Sequence, residues 1–399
     1  MRSFQFYYLI FFLIIYVAIS FSTFKGIKSV FFHSRYKSLI SRFVIVETVF
    51  FLVAFFIFYI WPFNVRNITD YTYHLIFNVL FSIDFVIKLP FTIASLIALT
   101  VKRHRRVPYL MAFIISVSIS ISMIFGSIIG KRLIQVNYVT VRSQNIPPPF
   151  DGHRLIQLSD IHLGSFNHSK NLLVKSKQII QNEKPDLILF TGDLVNNFSY
   201  ETKGWNSYFK DLTAQIPAFS ILGNHDYGNY TTWTDENEKE KNFNEIVKAH
   251  SDFGFNILNN RNSKIKKGND SIFIAGVENW GLPPFPQYAN LDSAMLNIPE
   301  DAFVILLSHD PAHWESVVKY RNDIDLTLAG HTHGFQWGIT KAGIKFSFAW
   351  LARKNWGGLY EFGDSKLYVN TGFGAVAIPW RINMSPELTV ITLKRIEVD

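Results

Sequence analysis

A chain of 399 residues has room for two or more domains, but at 48% hydrophobic and 16% aromatic, with 38 Phe, it is too apolar to be one soluble domain. Cysteine is absent, which excludes disulfides, thiolate metal ligands and a cysteine nucleophile. The formal charge of +8 is unevenly placed: residues 1–142 hold 15 basic and 3 acidic side chains, net +12, while the remainder is net −4, so the basic excess belongs to the first third and nucleic acid need not be invoked as a partner.

Four apolar spans occupy that first third: Phe4–Phe24, Phe43–Phe63, Ile76–Leu99 and Tyr109–Ile129. Each reaches the roughly 20 residues a helix needs to cross a bilayer. The first could pass for a signal peptide, but three more follow and no small-residue cleavage site is evident. Four transmembrane helices in residues 1–143 are therefore expected. The loop after the first span carries Lys25, Lys28, Arg35, Lys37 and Arg42, and that after the third carries Lys102, Arg103, Arg105 and Arg106. The intervening loop has Arg66 against Asp70. Basic loops stay cytoplasmic, so the fourth span is expected to run outward and deliver the rest of the chain to the extracytoplasmic side of a bacterial inner membrane. Lys131 and Arg132 oppose this orientation but are outvoted. Within the third span, Asp84 and Lys88 are one turn apart and read as a self-neutralising pair facing the bundle interior, and Pro90 is expected to kink the helix.

The stretch "QNIPPPFDG" (residues 144–152) reads as a stiff linker, leaving 153–399 as the second domain. There, short apolar runs end in unusual polar residues: Arg154–Leu158 before "SDIHLG", Leu187–Phe190 before "TGDLVNN", Phe219–Leu222 before "GNHD", Val304–Leu307 before "SHDP" and Leu326–Ala329 before "GHTHG". Helical stretches such as Ser169–Glu183 lie between them, and from about Ile344 the pattern is mostly strand. The alternation predicts an α/β domain, whose ligands gather at the carboxyl ends of strands. Five distant segments would then converge with Asp160, His162, Asp193, Asn224, His225, His309, His331 and His333, all residue types suited to divalent metals. The i,i+2 spacing of Asp160 with His162, and of His331 with His333, would point each pair one way if the strand continued. Asp193 and Asn224 each follow a glycine that lets the backbone turn.

This ordered set resembles the calcineurin-like metallophosphoesterase superfamily, whose pattern is D-x-H, G-D, G-N-H-D/E, a lone His and G-H-x-H. "NTGFG" and "RINMSPELTVITL" are similar to the end of its bacterial membrane-associated or exported branch. The resemblance implies a four-layer α/β/β/α sandwich and two divalent ions, manganese first with iron or zinc next, bridged by Asp193. Asp160, His162 and His333 would complete one ion's ligands and Asn224, His309 and His331 the other's. A metal-bridging hydroxide would attack a phosphate ester or diphosphate, with His225 stabilising the phosphoryl group or protonating the leaving oxygen and Asp226 orienting His225. Three departures are visible: Asn196 replaces an aspartate in "GDLVN", Phe335 replaces a glycine in "GFQ", and "AGVENW" replaces an acidic turn. The remaining histidines, His153, His168, His250 and His313, read as surface or structural, and Arg381 as either a phosphate contact or a surface salt bridge. Aromatic loops, "NWGLPPFPQY" and "FSFAWLARKNWGG", suit a lipid–water interface beside a membrane tether, and with it point to a lipid-linked or envelope phosphate ester as substrate. The alternative is a metal-binding sensor or scaffold that signals through the helices.

Overall fold

The computed structural model describes residues 2–60, 68–101, 104–166, 171–283, 285–340 and 344–397. Arg66, Lys102, Arg103 and His168 lie outside the described residues. The chain divides into two units, Met1–Ser127 and Ile128–Asp399.

The first unit consists of α1 (Arg2–Val30), α2 (Lys37–Phe55), α3 (Ile68–Thr100) and α4 (Arg106–Ile128), with α2 continuing into a π-helical turn at Phe56–Ile60. Four stretches are long and apolar enough to cross a membrane: Ile10–Val30, Lys37–Phe58, Thr72–Thr100 and Arg106–Arg132. Large apolar side chains such as Phe11, Phe43 and Leu99 stay exposed, the reverse of a soluble bundle and the natural state of a lipid-facing one. Inside, Tyr16, Phe51, Phe55, Phe77 and Phe81 pack into one cluster. Asp84 and Lys88 pair at 2.8 Å and are buried, but the pair is not self-sufficient. Tyr16 donates to Asp84 at 2.6 Å, while Lys88 Nζ reaches Tyr16 Oη at 3.0 Å and Glu47 Oε2 at 3.1 Å. One ammonium therefore serves two carboxylates and ties three helices, where an unpaired charge would be costly.

The second unit runs β1 (Gln135–Ser143), β2 (Arg154–Leu158), α5 (Asn171–Glu183), β3 (Leu187–Phe190), α6 (Asn206–Thr213), β4 (Ala218–Ser220), α7 (Glu236–Asp252), β5 (Asn256–Ile257), β6 (Arg261–Lys267), β7 (Asp270–Gly276), α8 (Leu291–Met295), β8 (Phe303–Leu307), α9 (Pro311–Ser316) and β9 (Leu326–Ala329). It closes with β10 (Gly338–Ile339), β11 (Phe346–Ser347), β12 (Gly358–Phe362), β13 (Ser365–Val369) and β14 (Glu387–Arg395). Two six-stranded mixed sheets result, ordered β1-β14-β2-β3-β4-β5 and β12-β13-β9-β8-β7-β6. Strands such as "LILF" and "FVILL" are apolar at every position because both faces are buried. Alternate residues divide the work: Leu155, Leu187 and Leu189 join Ile305, Leu307 and Leu328 between the sheets, whereas Ile156, Ile188 and Phe190 meet Leu173, Phe209 and Ile246 from α5, α6 and α7. The second sheet's outer face packs on Leu291, Ala294 and Trp314 of α8 and α9. This is the expected α/β/β/α layering.

The expected boundary needs correction. β1 pairs in parallel with β14 from Gln135↔Glu387 to Ser143↔Arg395, so the sandwich begins before residue 144. The Pro-rich segment is a loop within this unit rather than a linker, because Ile146 and Phe150 insert fully into the inter-sheet core.

Candidate metal centre

The strands β2, β3 and β4 are mutually parallel, as are β7, β8, β9 and β13, and the chemically distinctive residues follow their carboxyl ends. Backbone bonds knit these ends together: Asp160 N–H donates to Gly192 O at 2.9 Å, His162 N–H to Asp193 O at 3.1 Å, and Gly330 N–H to His309 O at 2.9 Å. The expected strand pleat does not align the paired residues, since β2 stops at Leu158 and β9 at Ala329. Left-handed turns do so instead. Asp160, His162, Asp193, His331 and His333 have φ of 51°, 45°, 59°, 70° and 51°. Such a conformation costs a non-glycine residue on the order of 1–3 kcal/mol and persists where surrounding structure imposes it, often at functional sites. Gly192, at φ 94°, supplies the turn before Asp193, as expected. Gly223 has ordinary extended backbone and serves close approach, because a Cβ there would lie 2.2 Å from Asp193 Oδ1.

Two groups of donor atoms meet at Asp193. On one side, Asp160, His162, Asp193 and His333 offer ligand atoms all within 4.8 Å of one another, and all four are buried. His333 Nε2 lies 3.2 Å from Asp160 Oδ1 and 3.1 Å from His162 Nε2, which is 3.5 Å from Asp193 Oδ2. On the other side, Asn224 Oδ1 is 3.0 Å from His309 Nε2 and 2.8 Å from His331 Nδ1, and His309 Nε2 is 3.2 Å from the same Asp193 Oδ2. All seven expected ligands are thus together, and one carboxylate oxygen touches both sets.

The donors fit divalent ions. Ligands about 2.1 Å from an ion and at right angles to each other stand about 3 Å apart, the spacing found here. His162 turns Nδ1 to Val195 O at 3.1 Å and His309 turns Nδ1 to Thr191 O at 2.7 Å, so each Nδ1–H is engaged and each Nε2 lone pair faces the cluster. Burial lowers the pKa of His162, His331 and His333, keeping these imidazoles neutral and able to ligate. Burial alone would also lower His309, but the Asp193 carboxylate outweighs it and raises that imidazole to about 10, so an ion held at its Nε2 would have to displace a proton there. Burial opposes ionisation of Asp193 as well, yet His309 and His225 keep its carboxyl well below the usual range. Such concentrated negative charge calls for cations.

The supporting contacts depart from expectation at two residues. Asp226 does not orient His225. Its carboxylate accepts from the N–H groups of Asp193, Leu194, Val195 and Gly223 at 2.9–3.2 Å and so clamps one ligand loop against the next; burial and then Asp193 push it up to about 7. His225 instead donates Nδ1–H to Asn196 O at 2.7 Å and stacks against Tyr230 at 4.4 Å. Arg381 is neither a phosphate contact nor a surface ion pair: it is 1% exposed and donates to carbonyls of Thr371, Gly374 and Met384, with Nη2 3.2 Å from His333 Nδ1. His153, His250 and His313 are buried structural residues.

Sequence reasoning missed Glu201, Asp310 and Arg353. Glu201 accepts from the backbone N–H of Gly164, Asn196, Asn197 and Phe198 and from the Asn196 amide. An aspartate at 196 would oppose that carboxylate, which explains the asparagine. Asp310 caps α9 through Ala312 N–H, faces His331 Nε2 at 3.7 Å and receives a two-pronged Arg353 at 2.9 and 3.1 Å. Its signal was adjacency to His309 in "SHDP". A cavity of about 210 Å³ opens beside Asn224 and His331, walled by Tyr230, Phe285, Tyr288 and Arg353.

Comparison with known proteins agrees with this geometry. Residues 153–335 match the family model for the calcineurin-like phosphoesterase. The chain is 31% identical over 274 residues to the uncharacterized metallophosphoesterase YkuE of Bacillus subtilis, covering 68% of this chain and 89% of that one. It is 27% identical over 282 residues to a zebrafish transmembrane protein with metallophosphoesterase domain, covering 68% and 60% respectively. It is also 28% identical over 246 residues to the phosphodiesterase YaeI of Escherichia coli, covering 60% and 82%. The chain belongs to the calcineurin-like phosphoesterase family and is a phosphoesterase with four apolar helices ahead of its catalytic unit.

Proposed function

We propose that this protein is a membrane-anchored phosphoesterase with two divalent ions, manganese first, held by the seven clustered residues and bridged by Asp193. The observation that carries the reading is the position of Asp193 Oδ2, 3.5 Å from His162 Nε2 and 3.2 Å from His309 Nε2. Bound ions would supply Lewis acidity to the phosphoryl group and acidify the attacking water. His225 carries the remaining proton chemistry. With Nδ1–H committed to Asn196 O, its Nε2 is the atom that steadies the phosphoryl oxygens or gives a proton to the leaving oxygen. The cavity beside Asn224 and His331 accommodates the esterified group, and its aromatic walls suit an apolar or planar one.

The bond attacked is a phosphate ester or diphosphate. The phosphodiesterase name of the Escherichia coli relative makes a diester the first to test. Four apolar helices support a lipid-linked or envelope substrate, and the basic loops at Lys25–Arg42 and around Arg105 and Arg106 support an inner-membrane protein with its catalytic unit outside the cytoplasm. The test is hydrolysis by the full chain of a chromogenic diester, its monoester and a lipid-linked diphosphate, with and without manganese, with Asp193→Ala as control. Manganese-dependent turnover lost in the variant is expected. Equal rates in variant and parent would favour the sensor or scaffold alternative.

A further inference from the structure

Two residues beyond His333 the chain does something unusual. His333, Gly334, Phe335 and Gln336 all have positive φ, and Phe335, at 55°, is 60% exposed. A bulky aromatic held left-handed with its ring in solvent is doubly unfavourable, so the backbone is spending conformational strain to display it. Phe335 is not isolated. Its ring meets Phe348 edge-on at 6.1 Å, Phe348 stacks on Trp337 at 4.9 Å, and Phe346 meets both at 5.6 and 6.1 Å. Beside these rings in sequence, Ile344, Trp350 and Leu351 are 56%, 57% and 76% exposed. A cluster of exposed aromatic rings with further exposed apolar residues on the same segment is the kind of surface that marks an interaction site.

Its charge selects the partner. Residues 335–356 contain no acidic residue, and besides Arg353, which is paired with Asp310, they carry Lys341, Lys345 and Lys354, the first of them outside the described residues, although the catalytic unit as a whole is net acidic. Lys345 lies over the rings of Trp356 and Tyr360, at 5.3 and 4.3 Å, and has no carboxylate partner among the described residues. Exposed Trp, Phe and Leu on a segment whose other charges are lysines is the composition that suits the headgroup region of an anionic bilayer. The chain also continues directly from α4 into this unit at Ile128, so a bilayer is its standing neighbour at high effective concentration.

The same segment is fastened to the metal ligands. Ser347 Oγ donates to Gly334 O at 2.6 Å, Thr332 Oγ1 to Trp356 O at 2.6 Å, and Arg353 reaches Asp310, which faces His331. Whatever holds the aromatic surface therefore also places the loop bearing His331 and His333.

We propose that Phe335, Ile344, Phe346, Phe348, Trp350 and Leu351 form a surface that docks on an anionic bilayer leaflet and presents the metal centre to phosphate groups there. This rests on the membrane-anchored reading and not on hydrolysis. The cysteine-free chain makes the test direct. Leu351→Cys in the full chain is spin-labelled, as is Leu296→Cys, a 65% exposed leucine just past α8. Both are reconstituted in vesicles of equal parts phosphatidylglycerol and phosphatidylcholine, and accessibility to oxygen is compared with accessibility to a water-soluble nickel complex. The label at 351 should favour oxygen and that at 296 nickel, with Trp350→Cys repeating the result for 351. Loss of this contrast in Phe348→Ser would tie it to the aromatic surface. Equal aqueous exposure at 351 and 296 would overturn the proposal, and so would spin–spin broadening at 351 that disappears on dilution with unlabelled chain, since a second copy would then occupy the surface. Immersion without any ester hydrolysis would instead remove the phosphoesterase reading while leaving the docking surface intact.

Discussion

Asn196 shows how a single departure from the expected motif acquires a reason. Its carbonyl fixes His225, while its amide donates to Glu201 at 2.9 Å. Asn196→Asp should destabilise the unit by about 1–3 kcal/mol by setting two buried carboxyl groups against each other, and Glu201→Gln should restore part of that loss; urea unfolding of single and double variants measures both. His225→Asn should lower kcat by roughly 10²–10⁴ without changing metal content, as turnover and elemental analysis on the same preparation would register. The clustered residues proposed as ligands were legible because each is a metal-binding residue type beside a glycine or at the end of an apolar run. Asp226, Glu201 and Arg381 were not. Their partners are backbone groups, and which carbonyls and N–H groups a loop turns inward leaves no pattern in residue types.

At the level of elements, the buried strands announced themselves through unbroken apolar runs, and β2, β3 and β9 occupy the expected residues. β1 escaped notice because its partner is β14, at the other end of the chain, and its burial is uneven. The loop joining β8 to α9 bears Asp310, and its link to Arg353 predicts that Arg353→Ala weakens the proposed ion site at Asn224, His309 and His331 by roughly 10- to 100-fold, measured by metal titration with Asp310→Asn as the parallel variant. Where α7 packs on the first sheet, His250 is wholly buried beside Phe190 and Phe255, with Nδ1 2.9 Å from Ser220 Oγ. Burial lowers its pKa to about 3 from an ordinary value of 6.5. The folded state thus refuses a proton that the unfolded state accepts, and the stability present above about pH 6.5 is lost as pH falls toward 3. The loss approaches about 1.4 kcal/mol per pH unit. His250→Phe should flatten that slope in unfolding measured from pH 7 to 4; an unchanged slope would place the acid sensitivity elsewhere.

Across the whole molecule, charge and hydropathy alone separated the helical unit from the catalytic one, since a bilayer demands long apolar spans. The contact between Lys88 and Glu47 was hidden, because which faces of two helices meet leaves no mark in either one's composition. A periplasmic reporter fused after residue 130 should be active and a cytoplasmic one silent; the converse would reverse the orientation. The central claim is that Asp193 joins two ions into one centre. Low-temperature electron paramagnetic resonance of the manganese-loaded full chain tests it most directly. An exchange-coupled pair in the parent that is lost in Asp193→Ala, together with manganese-dependent ester hydrolysis, is the predicted result. Isolated, uncoupled ions in a hydrolytically active parent would contradict it.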